Sequence, residues 1–396
     1  MNKRMILWVL GLSAAMVSFG QSVYVPLLPD LQRDLHTSLA LVNLTVTLFT
    51  FAMAAMQVVL GPVVDRSGRK KVLIPGMLVY VFATAGCMCS TSIDMLLVFR
   101  VLQGIGAAAV PLVAATMIGD VFEGKERAES MATYQMIVGL SPAVGPLIGG
   151  LIGSAAGYSG AFGFAAASAV LMMIAAMYLL PETKPANASG PRTRLGLKSF
   201  GRIVQSKTGS AVLLCGFVLY EVFYTFIVFL PTMLEARYGL GAAAIGMCSL
   251  ALMASSLVGS KRSGKLQAKV GSVKALFWSG ALLAASLVVF IFAAPLSLLA
   301  LPAALMLTGF VSGLAMPVMP TLLAAEFVRE RATAMGVYNF VRYVGMAAAP
   351  MIGSILYPAG GTFLLIGVTA AGVGAAILAA RRLLLPKAKE EQTVQF

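Results

Sequence analysis

Three charged residues stand well inside long apolar runs: Arg100, Glu221 and Arg342. A charge carried into a bilayer is costly, and where one occurs it is usually functional. Glu221 has Phe217, Tyr224 and Thr225 at helical spacing, with Tyr220, Phe223 and Phe226 close by. A carboxyl in such apolar, aromatic surroundings has its charged form disfavoured. It can hold a proton or attract an organic cation, but not both at once. The competing reading is a structural acid satisfied by hydrogen bonds. Glu221 falls about 12 residues into its run, roughly 18 Å deep in a core about 30 Å thick. Arg342 falls about 10 residues into its own run, roughly 15 Å deep. The similar depths suggest an ion pair that protonation of Glu221 releases; a purely structural pair fits equally well. Arg100 lies some six residues from the nearer end of its run, so its long side chain can snorkel outward. Gln103, one turn on, can share its hydrogen bonding.

Weaker signals surround these three. Asn43, Thr47, Thr50 and Gln57 recur at helical spacing along one run, and Gln21 and Tyr24 lie in the run before it. They read either as pocket or water-path residues, or as plain interhelical hydrogen bonds. The 23 methionines suit an adaptable apolar surface. Cys87, Cys89, Cys215 and Cys248 all fall in apolar segments without metal-ligand spacing. His36, the single histidine, reads as a solvated loop residue. No G-x-x-x-x-G-K-[ST] loop offers a nucleotide site. No nucleophile–base pair or metal cluster is legible, and the loops are too short for a catalytic domain.

The elements that must carry these residues follow from composition. The chain has 396 residues, 59% hydrophobic and 11% charged, with a mean hydropathy of +0.90. Soluble domains average nearer half apolar and about a quarter charged. A soluble enzyme, a disordered chain and a disulfide-stapled module are excluded. Apolar runs fall near 5–29, 38–60, 72–92, 94–118, 131–156, 161–181, 210–234, 242–260, 273–293, 296–322, 333–357 and 361–385. Runs of this length in lipid are helices. The first is too long for a signal peptide and reads as a retained span. The fold class is an all-α membrane protein of twelve transmembrane helices.

The formal charge of +14 could suggest nucleic acid, but the basic residues sit in short clusters between the apolar runs. With the N-terminus inside, 25 Lys and Arg lie on the cytoplasmic side and two, Arg33 and Arg237, outside. That bias predicts cytoplasmic termini in an inner (plasma) membrane. Segments 204 residues apart also match: Glu126–Gln135 reads ERAESMATYQ and Glu330–Asn339 reads ERATAMGVYN. Pro146 pairs with Pro350, and Gly149 with Gly353. The repeat predicts two six-helix bundles, 1–181 and 210–396, joined by a polar linker, 182–209. Parallel six-helix halves with substrate held between them are one transporter architecture. A single chain then holds a whole pathway, so a monomer is expected.

Three motifs make the sequence resemble the major facilitator superfamily, in particular its twelve-span drug:proton antiporters. The first is Gly61-Pro-Val-Val-Asp65-Arg66-Ser-Gly68-Arg69-Lys70-Lys71, between spans 2 and 3. Gly61 and Gly68 permit a tight turn, and Asp65 can pair locally or approach a helix N-terminus of the other half. The resemblance implies that this contact holds the cytoplasmic side shut; a plain positive-inside loop is the alternative. The second is Arg100-Val-Leu-Gln103-Gly104 in span 4, similar to the arginine motif linked in that family to proton coupling. The third is Gly145-Pro146-Leu-Ile-Gly149-Gly150 in span 5, similar to the signature of antiporters. Two glycines of that pattern stand here as Ala132 and Ser141. Small residues let helices approach closely, so static packing competes with a role in transport direction.

These readings predict a proton-coupled antiporter exporting small lipophilic, cationic drugs, with no cofactor beyond the proton gradient. Proton coupling is expected at Glu221, Arg342 and Arg100. Substrate contacts are expected at Glu221, Tyr220, Tyr224, Phe217, Gln21, Tyr24, Asn43, Thr47 and Gln103. Gating is expected at Gly61, Asp65, Arg66, Gly68, Arg69, Gly145, Pro146, Gly149 and Gly150. Two buried arginines against one buried acid leave room for an exporter of an endogenous metabolite, such as a siderophore or sugar. A membrane sensor or scaffold fits the repeated halves less well.

Overall fold

Lipid offers the backbone no hydrogen-bond partner, so each apolar run must satisfy its own N–H and C=O groups, as a helix does. The computed structural model describes residues 2–183, 197–294, 300–327 and 331–384, and their regular structure is helical throughout. The first half of the chain holds α1 (Lys3–Ser22), α2 (Leu28–Asp34), α3 (Leu39–Ser67), α4 (Arg69–Met88), α5 (Ile93–Val121) and α6 (Gly124–Leu179). A short α7 (Leu197–Gln205) follows, then α8 (Lys207–Tyr238), α9 (Ala242–Val270) and α10 (Ser272–Ala293). The chain closes with α11 (Ala300–Ala315), α12 (Val318–Glu326) and α13 (Arg331–Leu384).

Ten stretches of the described residues are long and apolar enough to cross a membrane. Two of them, Glu129–Leu179 and Ala334–Leu384, have 51 residues each, about twice what one crossing needs. The long helices α6 and α13 break at glycines: Gly157 with φ 64°, and Gly361 with φ 61°. Counting each as two crossings gives the twelve that the apolar runs predict.

Three local features differ from the runs. The first run is not one helix: α1 stops at Ser22, a single 3-10 turn spans Val25–Leu27, and α2 restarts at Leu28. Pro26 and Pro29 lack the N–H that an unbroken helix needs there. The tenth run divides at Met316–Pro317 into α11 and α12. The polar linker carries α7, while residues 184–196 lie outside the described residues. Starts are set locally: the Ser38 and Ser92 hydroxyls accept from the N–H groups of Leu41 and Met95, each at 3.3 Å, capping α3 and α5.

The chain divides into two compact units. One comprises Met1–Arg192, Tyr224–Met253 and Ala347–Ile355; the other comprises Thr193–Phe223, Ala254–Met346 and Leu356–Phe396. In the first, α1 packs on α6 and α5 packs on α3 and α4, around fully buried Tyr24, Phe49, Tyr80 and Phe162. In the second, α10 packs on α11, with Leu276, Leu283 and Leu287 inward. Large apolar side chains also stay exposed along the helices, among them Phe82, Leu171 and Phe363. Exposed apolar side chains in this number suit a lipid-facing surface.

Candidate functional site

Arg100 sits two turns into α5 and is fully buried. Its guanidinium carbon lies 4.5 Å from the ring centroid of Tyr24 and 4.3 Å from that of Phe49. Nε donates to the Thr45 carbonyl at 3.2 Å, and Nη1 donates to Gln103 Oε1 at 2.5 Å. The Gln103 amide in turn donates to Thr84 Oγ1 at 2.8 Å, and the Tyr24 hydroxyl meets Thr45 Oγ1 at 2.9 Å. The expected outward snorkel is therefore not observed. The physical reason is local: two aromatic faces and two oxygens replace water around the cation, so it has no need to reach the interface. Arg100 Nη2 and the Tyr80 hydroxyl are buried with no hydrogen-bond partner among the described residues.

The polar residues of spans 1 and 2 tie helices together. Gln21 donates to Thr50 Oγ1 at 3.2 Å, linking α1 to α3. Asn43 donates to Ser354 Oγ at 3.1 Å, and Thr47 to the Ala347 carbonyl at 3.0 Å, linking α3 to α13 within the first unit. Asn43 Oδ1 has no hydrogen-bond partner among the described residues.

The first motif folds differently from the turn its glycines suggested. Gly61, Asp65 and Arg66 all belong to α3, and the reversal into α4 uses Gly68 alone, at φ 106°. A Cβ at Gly61 would meet nothing within 4 Å, whereas one at Gly68 would lie 2.7 Å from Glu182 Oε2. The side chain of Asp65 lies outside the described residues, and Arg66 is exposed. The Glu182 carboxylate accepts the N–H groups of Arg69 at 2.8 Å and Lys70 at 3.1 Å, which places an anion on the N-terminus of α4. Arg69, largely buried, donates through Nε to Asp120 Oδ2 at 2.7 Å. Thr183 donates to the same oxygen at 3.1 Å. Lys70 Nζ donates to the carbonyls of Met177 and Leu180 at the end of α6, at 2.6 and 2.8 Å. The motif is thus a knot that binds α3, α4, α5 and α6 at one level.

The third motif forms a close seam in the first unit. A Cβ at Gly149 would stand 1.6 Å from the Val23 carbonyl oxygen, so α6 and the end of α1 touch backbone to backbone. Gly145 faces Ser22 in the same seam, and Gly150 faces the Ala242 carbonyl at the start of α9. The Pro146 carbonyl approaches Gly246 of α9. Pro146 has no N–H, so the bond it would make to the carbonyl one turn earlier is missing from α6.

In the second unit Arg342 repeats the arrangement around Arg100. Its guanidinium carbon lies 5.2 Å from the Tyr220 centroid and 4.8 Å from that of Tyr343. Tyr338, one turn earlier on α13, is buried, and its hydroxyl and Arg342 Nε have no hydrogen-bond partner among the described residues. Glu221 lies on α8 beside Tyr220 and is 6% exposed. Phe217 gives its carbonyl to the face of α13 at Gly345, in the second unit, and Tyr224 is buried on α8.

Several participants were not anticipated. Asp120 and Glu182 complete the knot from 51 and 113 residues away, and hydropathy carries no signal for such partners. Tyr80, Thr84 and Tyr338 sit in apolar runs where a hydroxyl scarcely alters the pattern. The match of Tyr134 with Tyr338 across the repeat was the available clue to the last of these.

Comparison with known proteins agrees with this architecture. The family model described as Major Facilitator Superfamily matches residues 10–350 and 212–395. An uncharacterized MFS-type transporter of Bacillus subtilis, YceJ, is 28% identical over 356 residues, covering 89% of this chain and 87% of that protein. A chloramphenicol resistance protein of Pseudomonas aeruginosa is 29% identical, covering 44% of this chain and 42% of that protein. The multidrug resistance protein MdtL of Escherichia coli is 30% identical, covering 44% of this chain and 45% of that protein. The crystal structure of a bacterial homolog of the human lysosomal transporter Spinster superposes with a TM-score of 0.76 at 17% identity, covering 97% of this chain and 95% of that one. The chain belongs to the major facilitator superfamily and is a multi-pass membrane transporter.

Proposed function

We propose that this transporter is a proton-coupled antiporter that exports small lipophilic, cationic drugs from the cytoplasm by alternating access. The observation that carries the reading is the burial of Glu221, 6% exposed, in an apolar and aromatic stretch of α8. Arginine holds its proton at any accessible pH, so Arg100 and Arg342 act on coupling only by biasing an acid or holding an anion. Glu221 is the group that carries the proton, and a bound cation competes with that proton for the same carboxylate. Tyr220, Tyr224 and Phe217 supply apolar and π contacts to the cation. Protonated Glu221 leaves Arg342 to its tyrosines; ionised Glu221 draws it into a pair. Relatives named for multidrug and chloramphenicol resistance support the drug reading.

In this reading the two six-helix halves, 1–181 and 210–396, rock about the substrate, and the knot at Gly68 and Arg69 steadies the cytoplasmic gate. Arg66 and Asp65 complete that gate, and the seam at Gly145, Pro146, Gly149 and Gly150 governs the external one. The protein works as a monomer in the inner membrane with both termini cytoplasmic and without a cofactor. A second reading rests on Arg100 and Arg342, each with a buried nitrogen that has no hydrogen-bond partner among the described residues. It is export of an anionic or zwitterionic endogenous metabolite.

Flux of ethidium into proteoliposomes under an imposed pH gradient separates the two. Wild type should show gradient-dependent flux, and Glu221→Gln should lose it while remaining folded. Flux that persists unchanged in Glu221→Gln removes the acid from the mechanism. No ethidium flux in either protein, with flux of an organic anion, supports the second reading.

A further inference from the structure

The last turns of α9 are basic and one-sided. Arg262 and Lys269 lie seven residues apart, two turns on one helical face, and both are exposed. Facing them are Trp278 and Leu282 of α10 and Phe310 and Leu314 of α11, each pair one turn apart. Together these side chains line a groove of about 360 Å³ within the second unit. No carboxylate lines it among the described residues. Trp278 is 60% exposed and falls about 9 Å along α10 from its start, the depth where headgroups meet acyl chains. The groove therefore has cations at its mouth, an indole at the interface, and an apolar floor of Phe310 and Leu314.

We propose that this groove is a binding site for an anionic phospholipid. The phosphate sits against Arg262 and Lys269, and one acyl chain runs over Trp278, Leu282 and Phe310. The charge selects the headgroup: a zwitterionic lipid brings an ammonium to a mouth that already holds two cations, whereas phosphatidylglycerol or cardiolipin brings only negative charge. This site stands apart from the transport residues and from the identity of the cargo, so it can fail or hold independently of the antiporter reading.

The protein has two tryptophans, and Trp8→Phe leaves Trp278 as the reporter. The variant is reconstituted in bilayers holding equal fractions of brominated phosphatidylglycerol or brominated phosphatidylcholine, and quenching of Trp278 is compared. The expected result is a preference for the anionic lipid of roughly fivefold, falling as salt is raised. Adding Arg262→Gln and Lys269→Gln should bring the preference to unity. Adding Arg381→Gln and Arg382→Gln, which removes two equivalent charges from the end of α13, should leave it in place. Equal quenching by the two lipids, or equal loss with both pairs of substitutions, overturns the site and leaves a general surface potential. Quenching by brominated phosphatidylcholine reports that each variant is inserted. If the groove variant fails to insert, the salt titration on Trp8→Phe decides: a salt-independent preference overturns the proposal.

Discussion

A buried arginine without a carboxylate in contact needs other compensation, and Arg100 shows what that is. Two rings, one carbonyl and one amide take the place of water around it. Gln103 is the pivot, because it accepts from Arg100 and donates to Thr84 in one motion. Gln103→Leu strips an acceptor from a buried charge and a donor from a buried hydroxyl. The expected cost is about 1–3 kcal/mol, read as a lowered unfolding temperature in detergent. Gln103→Glu keeps the acceptor, and Thr84 can turn its hydroxyl to donate, so it should cost clearly less. Equal melting of the leucine variant and wild type would show that the network carries no stability. The sequence displayed Arg100 and Gln103 as a pair but did not show that the guanidinium is fully enclosed. Distance from a run's end measures how far a side chain would have to reach, not what surrounds it. The aromatic slot comes from Tyr24, in the turn that follows α1, and Phe49, on α3.

At the scale of elements, glycines of two related motifs do opposite things. Gly149 is a contact residue: any side chain there collides with the Val23 carbonyl, and α1 and α6 must part. Gly61 is only a helix residue with open space beside it. Gly149→Val should destabilise by about 1–3 kcal/mol or more, while Gly61→Ala, with no packing collision to meet but Pro62 after it, should shift stability by under about 1 kcal/mol. A large drop in unfolding temperature for Gly149→Val beside a small shift for Gly61→Ala checks both, and a neutral Gly149→Val would mean that the seam is slack. The knot at Arg69 makes a third case. Its ion pair with Asp120 pins α4 to α5 with side chains 8% and 17% exposed. Arg69→Gln and Asp120→Asn should be non-additive, with a coupling of about 1–3 kcal/mol in a double-mutant cycle. A coupling near zero would reduce the pair to a surface contact. Helix number and extent were legible because a bilayer fixes the length of an apolar run. Joints were less so: Gly157 and Gly361 break helices that remain continuous on either side, and Pro26 splits a run that is apolar throughout. Asp120 and Glu182 were invisible because their partners are set by packing rather than by period.

The whole molecule adds a constraint that no single residue supplies. Glu221 is the one acid placed deep in the predicted apolar runs, so the proposed antiport reading allows one proton per cycle. A monovalent cation that leaves as one proton enters moves no net charge. Its flux should follow the pH gradient and ignore the membrane potential. A neutral drug exchanged for the same proton moves one charge inward, and its accumulation gains about 2.3 kcal/mol per 100 mV. That corresponds to roughly a 50-fold change in the equilibrium ratio. Proteoliposomes with potassium and valinomycin set the potential independently of pH, and ethidium and chloramphenicol serve as the two cargoes. The expected outcome is potential-independent ethidium flux beside potential-dependent chloramphenicol flux. Potential-dependent ethidium flux would require a second titrating group, and the tyrosine-lined surroundings of Arg342 would then be the place to look for what it binds.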